Sequence, residues 1–244
     1  MEAIINELKN FIHEIQSEDI RDLVEGLINE PLLTFTDAKP VIKLEDSPAA
    51  PRKHHFFTGG LILHTYSVVN ISLSLAEILN EVYGLKVNRD IVIAVAILHD
   101  IFKYYQYEPD YVNGGYKIRE DWFLGHDYAV VAELSRRNAP EKLIRAISEV
   151  HGQAPFTTTE GLIVHLADSI DARIVEILQN TLLSRAKEYE RDCPVHKALN
   201  KLIAEIGLQR VMIYLFNETS NLKQTIKEVC NNITQVEKRS AASS

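Results

Sequence analysis

The chain has few cysteines and no excess of positive charge, and each absence narrows the classes of protein that it can belong to. Cys193 and Cys230 are its two cysteines. Because they lie far apart without a CxxC spacing, the sequence predicts neither a disulfide framework nor a cysteine zinc site. We expect two reduced thiols in a cytoplasmic protein. The formal net charge of -8 argues against a broad basic surface for duplex nucleic acid, although it leaves room for a local basic patch.

Long hydrophobic runs and an N-terminal signal are also missing. No apolar run reaches the roughly 18 residues of a membrane span. The first residues, MEAIINELKNFIHEIQ, combine acidic side chains with helical periodicity and lack the basic and apolar regions of a signal peptide. We therefore expect no membrane association. The remaining composition, 46% hydrophobic and 25% charged, is ordinary for a globular domain of this length.

Hydrophobic periodicity predicts an all-α protein. Apolar side chains recur at helical spacing through the first 28 residues, and a later long helix is expected to end near Gly84. The next helix contains the apolar run IVIAVAIL, with Asn88 or Asp90 as its N-cap. The stretch YEPDYVNGGYKIRED predicts a loop or short hairpin around residues 113–115. No segment of appreciable length shows the alternation of apolar and polar residues that is typical of a β-strand.

The second half of the chain predicts further helices in the same domain. DYAVVAELSRR, EKLIRAISEVH and EGLIVHLADSIDARIVEILQN each have helical periodicity, and Thr159 can cap the last of them. Two more helices are expected between about Pro194 and Glu237. We expect a single helical bundle with four parts: N-terminal helices and a proline-rich segment at 1–53, a core at 54–180, C-terminal helices at 181–237 and a disordered tail at 238–244.

The segment from Pro31 to Lys53 contains four prolines. This density excludes a regular helix and predicts an extended segment over the helical body, where it could act as a lid. The apolar stripes of the terminal helices, including LQRVMIYLF, could pack on this body or form a homodimer. The sequence leaves both arrangements open.

Histidine and carboxylate side chains are concentrated in the middle of the chain. Seven of the nine histidines fall between His54 and His165. His99 and Asp100 follow a buried apolar run, where a carboxylate must be paired, hydrogen-bonded or metal-bound. Imidazole and carboxylate together are a natural donor set for a divalent metal, so the remaining ligands should come from other helices. The candidates are His64, His126, His151 and Asp168, with His165 and Asp171 beside the last.

Five separated motifs resemble one known family. His64, then His99 and Asp100, then Asp168 reproduce the H…HD…D order of the HD-domain metal-dependent phosphohydrolase superfamily. The local sequences GGLILHT, AILHDIFK, WFLGHD, EVHG and VHLADSIDAR agree with it. The stretch HHFFTGGLILHT is particularly similar to the HD domain of bacterial 3′-to-5′ exoribonucleases of the CMP-binding-factor type. The resemblance covers about residues 54 to 175.

The resemblance implies an all-helical fold that binds one or two divalent ions. Mn, Fe, Co, Ni, Zn and Mg are all compatible with such ligands. In the family's pattern, Asp100 bridges the two ions, and Lys103 of HDxxK could neutralise a phosphate oxygen. The implied ligands are His64, His99, Asp100 and Asp168 for the first ion and His126 and His151 for the second.

Other residues are expected to contact the substrate or to orient the ligands. His55, from the family's HH pair, could approach the substrate or brace the site. Arg119 could hold a phosphate. His165 and Asp171 could orient Asp168 or a ligand imidazole. Phe102 stands where the family usually has glycine, which predicts a bulkier wall beside the metal.

The sequence therefore predicts a metal-dependent phosphohydrolase that cleaves a phosphoester of a nucleotide or similar small phosphorylated substrate. One alternative is a nuclease for single-stranded RNA or DNA. It requires a basic groove, to which Lys39, Lys43, Arg52 and Lys53 could contribute. However, the first fifty residues are too short and too helical for the nucleic-acid-binding barrel that precedes the HD domain in the exoribonucleases. Another alternative is a non-catalytic HD module that senses a ligand or binds a partner.

Overall fold

The structure, a computed structural model, describes residues 2–152, 154–189, 191 and 193–241, the last six of these by backbone alone. Apart from short 3-10 turns, the regular structure of these residues is ten α-helices and one two-stranded hairpin. The all-α prediction is confirmed. The helices are α1 Glu2–His13, α2 Glu18–Asn29, α3 Gly60–Tyr83, α4 Arg89–Leu98, α5 His126–Arg136, α6 Glu141–Val150, α7 Thr159–Ala186, α8 Val195–Ile206, α9 Leu208–Phe216 and α10 Thr219–Ala241.

Helix α4 lies at the centre of the main hydrophobic core. Every residue from 91 to 98 is buried, as expected for a helix that is apolar on all sides. Of the two predicted caps, Asn88 is the one observed, because its side chain accepts a hydrogen bond from the backbone N–H of Ile91 at 3.2 Å. Asp90 instead accepts the backbone N–H groups of Gln16 and Ser17 at 3.1 and 2.9 Å, which joins α4 to the turn between α1 and α2.

Helix α3 is 24 residues long and apolar enough to cross a membrane by length and composition. Polar residues such as His64 and Asn70 interrupt its sequence, so it is not the uninterrupted apolar run whose absence was noted above. In the structure, α3 packs along α4 and α7, and its His64 is fully buried. A core helix that touches neighbours on several sides is apolar for the same reason as a span. The helix ends at Gly84, as predicted, and the φ of 66° of this residue is the left-handed conformation that favours glycine at a helix end.

Three predicted helix ends differ from the structure. The cap of α7 is Thr158, one residue earlier than expected, since its hydroxyl accepts from the N–H of Gly161 at 3.0 Å. The C-terminal region forms three helices instead of two, because Gly207, at φ 80°, separates α8 from α9. The backbone of α10 is helical through Ala241, whereas we expected a disordered tail from residue 238. Residues 242–244 lie outside the described residues.

A second hydrophobic cluster joins the C-terminal half of α7 to α8, α9 and α10. Val211 and Leu215 of the LQRVMIYLF stripe are buried in it, so this stripe packs on the body of the protein. Cys193 and Cys230 form a disulfide in the same cluster, which corrects the prediction of two reduced thiols. Sequence spacing could not reveal this pair, because the packing of α10 on α8 brings together residues 37 apart.

Residues 31–53, which we call the strap, lie over the helical body and are mostly extended, apart from bends, one short 3-10 turn and a turn at 51–53. Three tyrosines that follow the HD motif hold it. The Tyr104 hydroxyl donates to the Pro31 carbonyl, the Tyr105 oxygen accepts from the N–H of Leu33 at 3.1 Å, and the Tyr107 hydroxyl donates to Ala49 O at 3.2 Å. The predicted extended segment is confirmed, and its action as a lid stays a prediction.

The predicted hairpin is also confirmed. Strands β1 (Tyr107–Pro109) and β2 (Tyr116–Ile118) pair antiparallel, with Glu108 opposite Lys117. The two side chains form an ion pair at 2.8 Å. The hairpin begins at Tyr107, the last of the three tyrosines that bind the strap, so the strap, the hairpin and the end of α4 are connected.

Candidate metal centre

The carboxylate of Asp100 lies just beyond the C-terminal end of α4 and is completely buried. Its two oxygens face different imidazoles. Oδ2 lies 3.3 Å from His64 Nε2 and 3.4 Å from His99 Nε2. Oδ1 lies 3.1 Å from His126 Nε2 and 3.5 Å from His151 Nε2. One carboxylate therefore stands between two separate pairs of histidines.

The inner group consists of His64, His99, Asp100 and Asp168, which offer one ligand atom each within 4.8 Å of one another. His64 Nε2 is 3.4 Å from His99 Nε2 and 3.2 Å from Asp168 Oδ1. Two ligand nitrogens at about 2.1 Å from a tetrahedral ion would lie about 3.4 Å apart. The spacing in the inner group therefore suits the ligands of one ion.

The outer group consists of Asp100, His126 and His151, whose donor atoms also lie within 4.8 Å of one another. His126 is the first residue of α5, and His151 follows the last residue of α6. Their side chains are 20% and 17% exposed, compared with 0% for His64 and His99. The centre is thus closed on the side of His64 and His99 and opens toward the outer group and Asp168, whose side chain is also 20% exposed.

Unsatisfied polar atoms test whether an ion fits this arrangement. Within the described residues, neither Asp100 oxygen nor His126 Nε2 makes a well-formed hydrogen bond, although all three atoms are buried; Asp100 Oδ2 has Lys103 as an ion-pair partner. Buried polar atoms without partners are rare and costly in folded proteins. A divalent ion between each pair of imidazoles and Asp100 would satisfy all three atoms, so the donor set fits a metal.

The inner imidazoles are oriented by hydrogen bonds on their far sides. His64 Nδ1 donates to Asp171 Oδ2 at 2.6 Å, and His99 Nδ1 donates to the Ala96 carbonyl at 2.9 Å. With the Nδ1 proton bound in this way, the neutral form of each ring directs its Nε2 lone pair toward the centre. Although burial would lower the pKa of His64, its hydrogen bonds with Asp100, Asp168 and Asp171 raise that pKa well above its usual value, so a metal ion would displace a proton from His64. Asp171 therefore contacts the imidazole of His64, and its predicted role in orienting a metal ligand stays a prediction.

Charges around Asp100 keep this carboxylate ionised. Burial would raise the pKa of Asp100, but Lys103 and His99 hold it well below its usual range. Lys103 Nζ lies 2.5 Å from Asp100 Oδ2, and although burial would lower the pKa of Lys103, Asp100 raises it. Burial lowers the pKa of His126 and His151. At neutral pH the carboxylate is thus charged and these imidazoles are neutral, the states that bind metal.

Two residues of the HH pair line the inner side of the centre. The rings of His54 and His55 lie 5.1 and 5.3 Å from the ring of His64. His55 Nδ1 lies 3.7 Å from Asp171 Oδ2, and its backbone has the unusual φ of 49°. His55 thus stands where it could brace the site. The proximity of His54, the third member of a His54, His55 and His64 group of possible donors, was not predicted from the sequence.

Arg119 belongs to neither group of possible metal ligands, and its role as a phosphate ligand stays a prediction. Its guanidinium donates to both carboxylate oxygens of Asp121 at 2.9 and 2.7 Å and to the carbonyls of Lys39 and Tyr105 at 2.9 and 3.1 Å. These contacts attach the strap to the end of the hairpin. Phe102 is buried in the main core, where its ring contacts that of Tyr105, so its bulk is absorbed by packing.

His165 also lies outside both groups, but it contacts the segment that carries His151. Its Nδ1 donates to the Val150 carbonyl at 2.6 Å. Sequence reasoning missed two further neighbours of the outer group. Gln106 Nε2 lies 3.4 Å from His126 Nδ1, and Glu149 binds the loop after His151. In the sequence, the only indication of a role for Glu149 is its position two residues before the candidate ligand His151.

Comparison with known proteins agrees with this centre. The HD domain family matches residues 61–173. The chain is 35% identical over 194 residues to the dihydroneopterin 2′,3′-cyclic phosphate phosphodiesterase of Methanocaldococcus jannaschii, which covers 78% of each chain. It is also 29% and 27% identical to the 3′-5′ exoribonucleases YhaM of Bacillus velezensis and Bacillus subtilis, matching 74% and 70% of this chain. No solved structure matches at comparable significance.

The helical bundle, the H…HD…D order and these relatives define the class. The chain belongs to the HD-domain family and is a metal-dependent phosphohydrolase. Both the predicted family and the predicted enzyme class are confirmed, and the non-catalytic alternative is disfavoured. The chain spans only 56% and 54% of the two exoribonucleases, about half of their length.

Proposed function

We propose that the protein is a dinuclear phosphodiesterase that opens a 2′,3′-cyclic phosphate on a small molecule. The observation that carries this proposal is the position of Asp100, with one oxygen toward each pair of histidines. Such a carboxylate suits a bridge between two ions. The phosphodiesterase from Methanocaldococcus jannaschii, similar over 78% of both chains, supports the cyclic substrate.

In this proposal, His64, His99, Asp100 and Asp168 would hold the inner ion, and Asp100, His126 and His151 the outer one. A pair of bound divalent ions supplies positive charge for the phosphoryl oxygens and lowers the pKa of a water molecule. Imidazole-rich ligands favour a transition metal such as Mn, Fe, Co, Ni or Zn over Mg, which prefers oxygen.

The protein's own groups then orient the substrate and keep the charges in place. The substrate must approach from the side of His126, His151 and Asp168, whose side chains are 17–20% exposed, since Asp100 is fully buried. Lys103, paired with Asp100 Oδ2, keeps the bridging carboxylate ionised and adds positive charge for the phosphate. Addition of one water to phosphorus with cleavage of one P–O bond converts the cyclic diester to a phosphomonoester.

The test combines metal analysis with turnover. Purified protein and its Asp100→Asn variant are reconstituted with Mn and assayed with 2′,3′-cyclic nucleotides and bis-p-nitrophenyl phosphate. We expect close to two ions per wild-type chain and loss of both metal and turnover in Asp100→Asn. Asp37→Asn, a change at an exposed residue of the strap, is the matched control and should keep both. Wild-type protein without stoichiometric metal after reconstitution would refute the dinuclear centre.

Cleavage of single-stranded RNA or DNA is the second candidate function. It is supported by the two exoribonuclease relatives and by the exposure of Lys39, Lys43, Arg52 and Lys53 along or beside the strap. An end-labelled oligonucleotide in the same assay separates the two functions. Stepwise shortening at rates above those for cyclic nucleotides would favour the nuclease, and an intact oligonucleotide would favour the small-molecule phosphodiesterase.

A further inference from the structure

The two groups of the metal centre differ in how their imidazoles are held. The inner imidazoles make short hydrogen bonds through Nδ1, at 2.6 Å for His64 and 2.9 Å for His99. Within the described residues, the contacts of the outer imidazoles are longer: His126 Nδ1 lies 3.4 Å from Gln106 Nε2 and its Nε2 3.1 Å from Asp100 Oδ1, and His151 Nε2 lies 3.4 Å from the His99 carbonyl oxygen. The orientation of His151 therefore depends mainly on the backbone that carries it.

That backbone is held at one end by His165. Helix α6 ends at Val150, so the Val150 carbonyl is one of the terminal carbonyls that have no partner within the helix. His165, on the neighbouring helix α7, donates to it at 2.6 Å. The ring of His165 also lies 5.0 Å from that of Phe156, in the loop that follows His151. The bond to Val150 fixes the peptide from which the His151 side chain projects.

Glu149 holds the other end of the same loop. Its buried carboxylate accepts hydrogen bonds from the backbone N–H and hydroxyl groups of Thr157, at 3.0 and 2.6 Å, and of Thr158, at 3.1 and 2.6 Å. Helix α7 can approach this carboxylate because residue 161 is glycine. A Cβ there would lie 2.4 Å from Glu149 Oε2. The loop that follows His151 is thus attached at both ends. His165 of α7 binds its beginning at Val150, and Glu149 of α6 binds its end at Thr157 and Thr158.

We propose that His165 is a positioning residue that sets the affinity of the outer metal position through the Val150 carbonyl, independently of the inner position. This inference rests on the dinuclear centre of the proposed function. The inner position has four donors and buried, hydrogen-bonded imidazoles, so it fills first. Occupancy of the outer position then depends on the concentration of free metal. Activity rises over the concentrations at which the outer position fills, where the inner position is already occupied.

The experiment measures metal binding instead of turnover. Metal-free full-length protein is titrated with Mn²⁺ by calorimetry, and electron paramagnetic resonance reports the spin-coupled pair that forms when both positions fill. Two variants are compared with wild type. His165→Leu removes the donor to Val150, whereas His165→Asn keeps an N–H group close to the position of Nδ1.

We expect two equivalents of unequal affinity in the wild-type protein. In His165→Leu the second equivalent should bind roughly 10–100-fold more weakly, the usual effect of removing a group that orients a ligand. The first equivalent should be unchanged, and His165→Asn should recover most of the affinity. A second equivalent that binds His165→Leu as tightly as wild type, or equal weakening of both equivalents, would overturn the inference.

Two further outcomes remain distinguishable. If the wild-type protein binds a single equivalent, the dinuclear function fails and the failure does not concern His165. If His165→Leu does not fold, Phe156→Leu takes its place, because Phe156 is 43% exposed and its loss loosens the His165 ring without removing a hydrogen bond. A smaller decrease in the affinity of the second equivalent is then expected, and no change would overturn the inference.

Discussion

Asp171 has the same relation to the inner position that His165 has to the outer one, but it acts directly on a ligand. Its carboxylate accepts the proton of His64 Nδ1 at 2.6 Å and lies 3.7 Å from His55 Nδ1. Hydrogen bonds of this kind set the tautomer of a ligand imidazole and raise its basicity. At the residue scale, each half of the centre therefore has its own supporting group.

Replacement of Asp171 by asparagine should weaken the inner position. Asparagine has nearly the same shape, but its neutral amide accepts the His64 proton less strongly. We expect the first equivalent of Mn²⁺ to bind roughly 10–100-fold more weakly, as measured by calorimetry on the metal-free protein.

The matched control for Asp171→Asn is Glu176→Gln, which removes a carboxylate from the same helix where it pairs with Arg173 at the surface. This variant should bind both equivalents as the wild type does. Unchanged affinity of the first equivalent in Asp171→Asn would show that the Nδ1 hydrogen bond does not control the inner position.

At the scale of elements, the strap depends on residues that come directly after the HD motif. Tyr104, Tyr105 and Tyr107 bind its two ends, and Arg119 binds its middle through the Lys39 carbonyl. The strap leads into His54 and His55, which lie beside His64. The same stretch of chain thus contains candidate metal ligands and binds the strap that leads into His54 and His55.

Replacement of Tyr105 by phenylalanine should destabilise this arrangement. Tyr105 is fully buried, and loss of its hydroxyl leaves the N–H of Leu33 without its acceptor. We expect the free energy of unfolding to fall by about 1–3 kcal/mol, as measured by urea denaturation. Tyr111→Phe is the control, since Tyr111 is 87% exposed in the same tyrosine-rich stretch. Equal stability of both variants would contradict the role of Tyr105.

Helix boundaries were predicted well where a single residue determines them and less well elsewhere. Gly84 and Asn88 end and begin helices as expected. Thr158 and Thr159 both suit a cap, and the choice depends on the hydrogen bond that the folded backbone offers. Gly207 was overlooked because glycine within an apolar periodic stretch does not by itself show whether the helix continues.

At the scale of the whole molecule, two hydrophobic clusters meet along α7. The main core includes Ile163, Val164 and Ala167 from its first half, and the second cluster includes Leu182 and Ala186 from its last turns. Asp168 and Asp171 therefore lie on the helix that is common to both. The predicted division into residue ranges and the homodimer stay predictions. Size-exclusion chromatography with light scattering would measure the oligomeric state.

The disulfide gives a prediction for the second cluster. It closes a loop with a sequence separation of 37 residues, so its reduction should lower the free energy of unfolding by about 2–4 kcal/mol. Denaturation with and without dithiothreitol measures the difference. The double variant with Cys193→Ser and Cys230→Ser should be insensitive to the reductant. Alkylation of two free thiols in native protein prepared without reductant would contradict the pair and agree with a reducing cytoplasm.

The sequence by itself determined the helical class, the family and the order of the six metal-ligand candidates, because periodicity and motif order are properties of neighbouring residues. Only the tertiary structure decided which Asp100 oxygen faces which imidazole, that Asp171 hydrogen-bonds to His64, and that Arg119 binds the strap. These contacts join residues that are distant in the chain, 107 positions apart for His64 and Asp171. Such partners are chosen by the packing of whole helices, which no local pattern records.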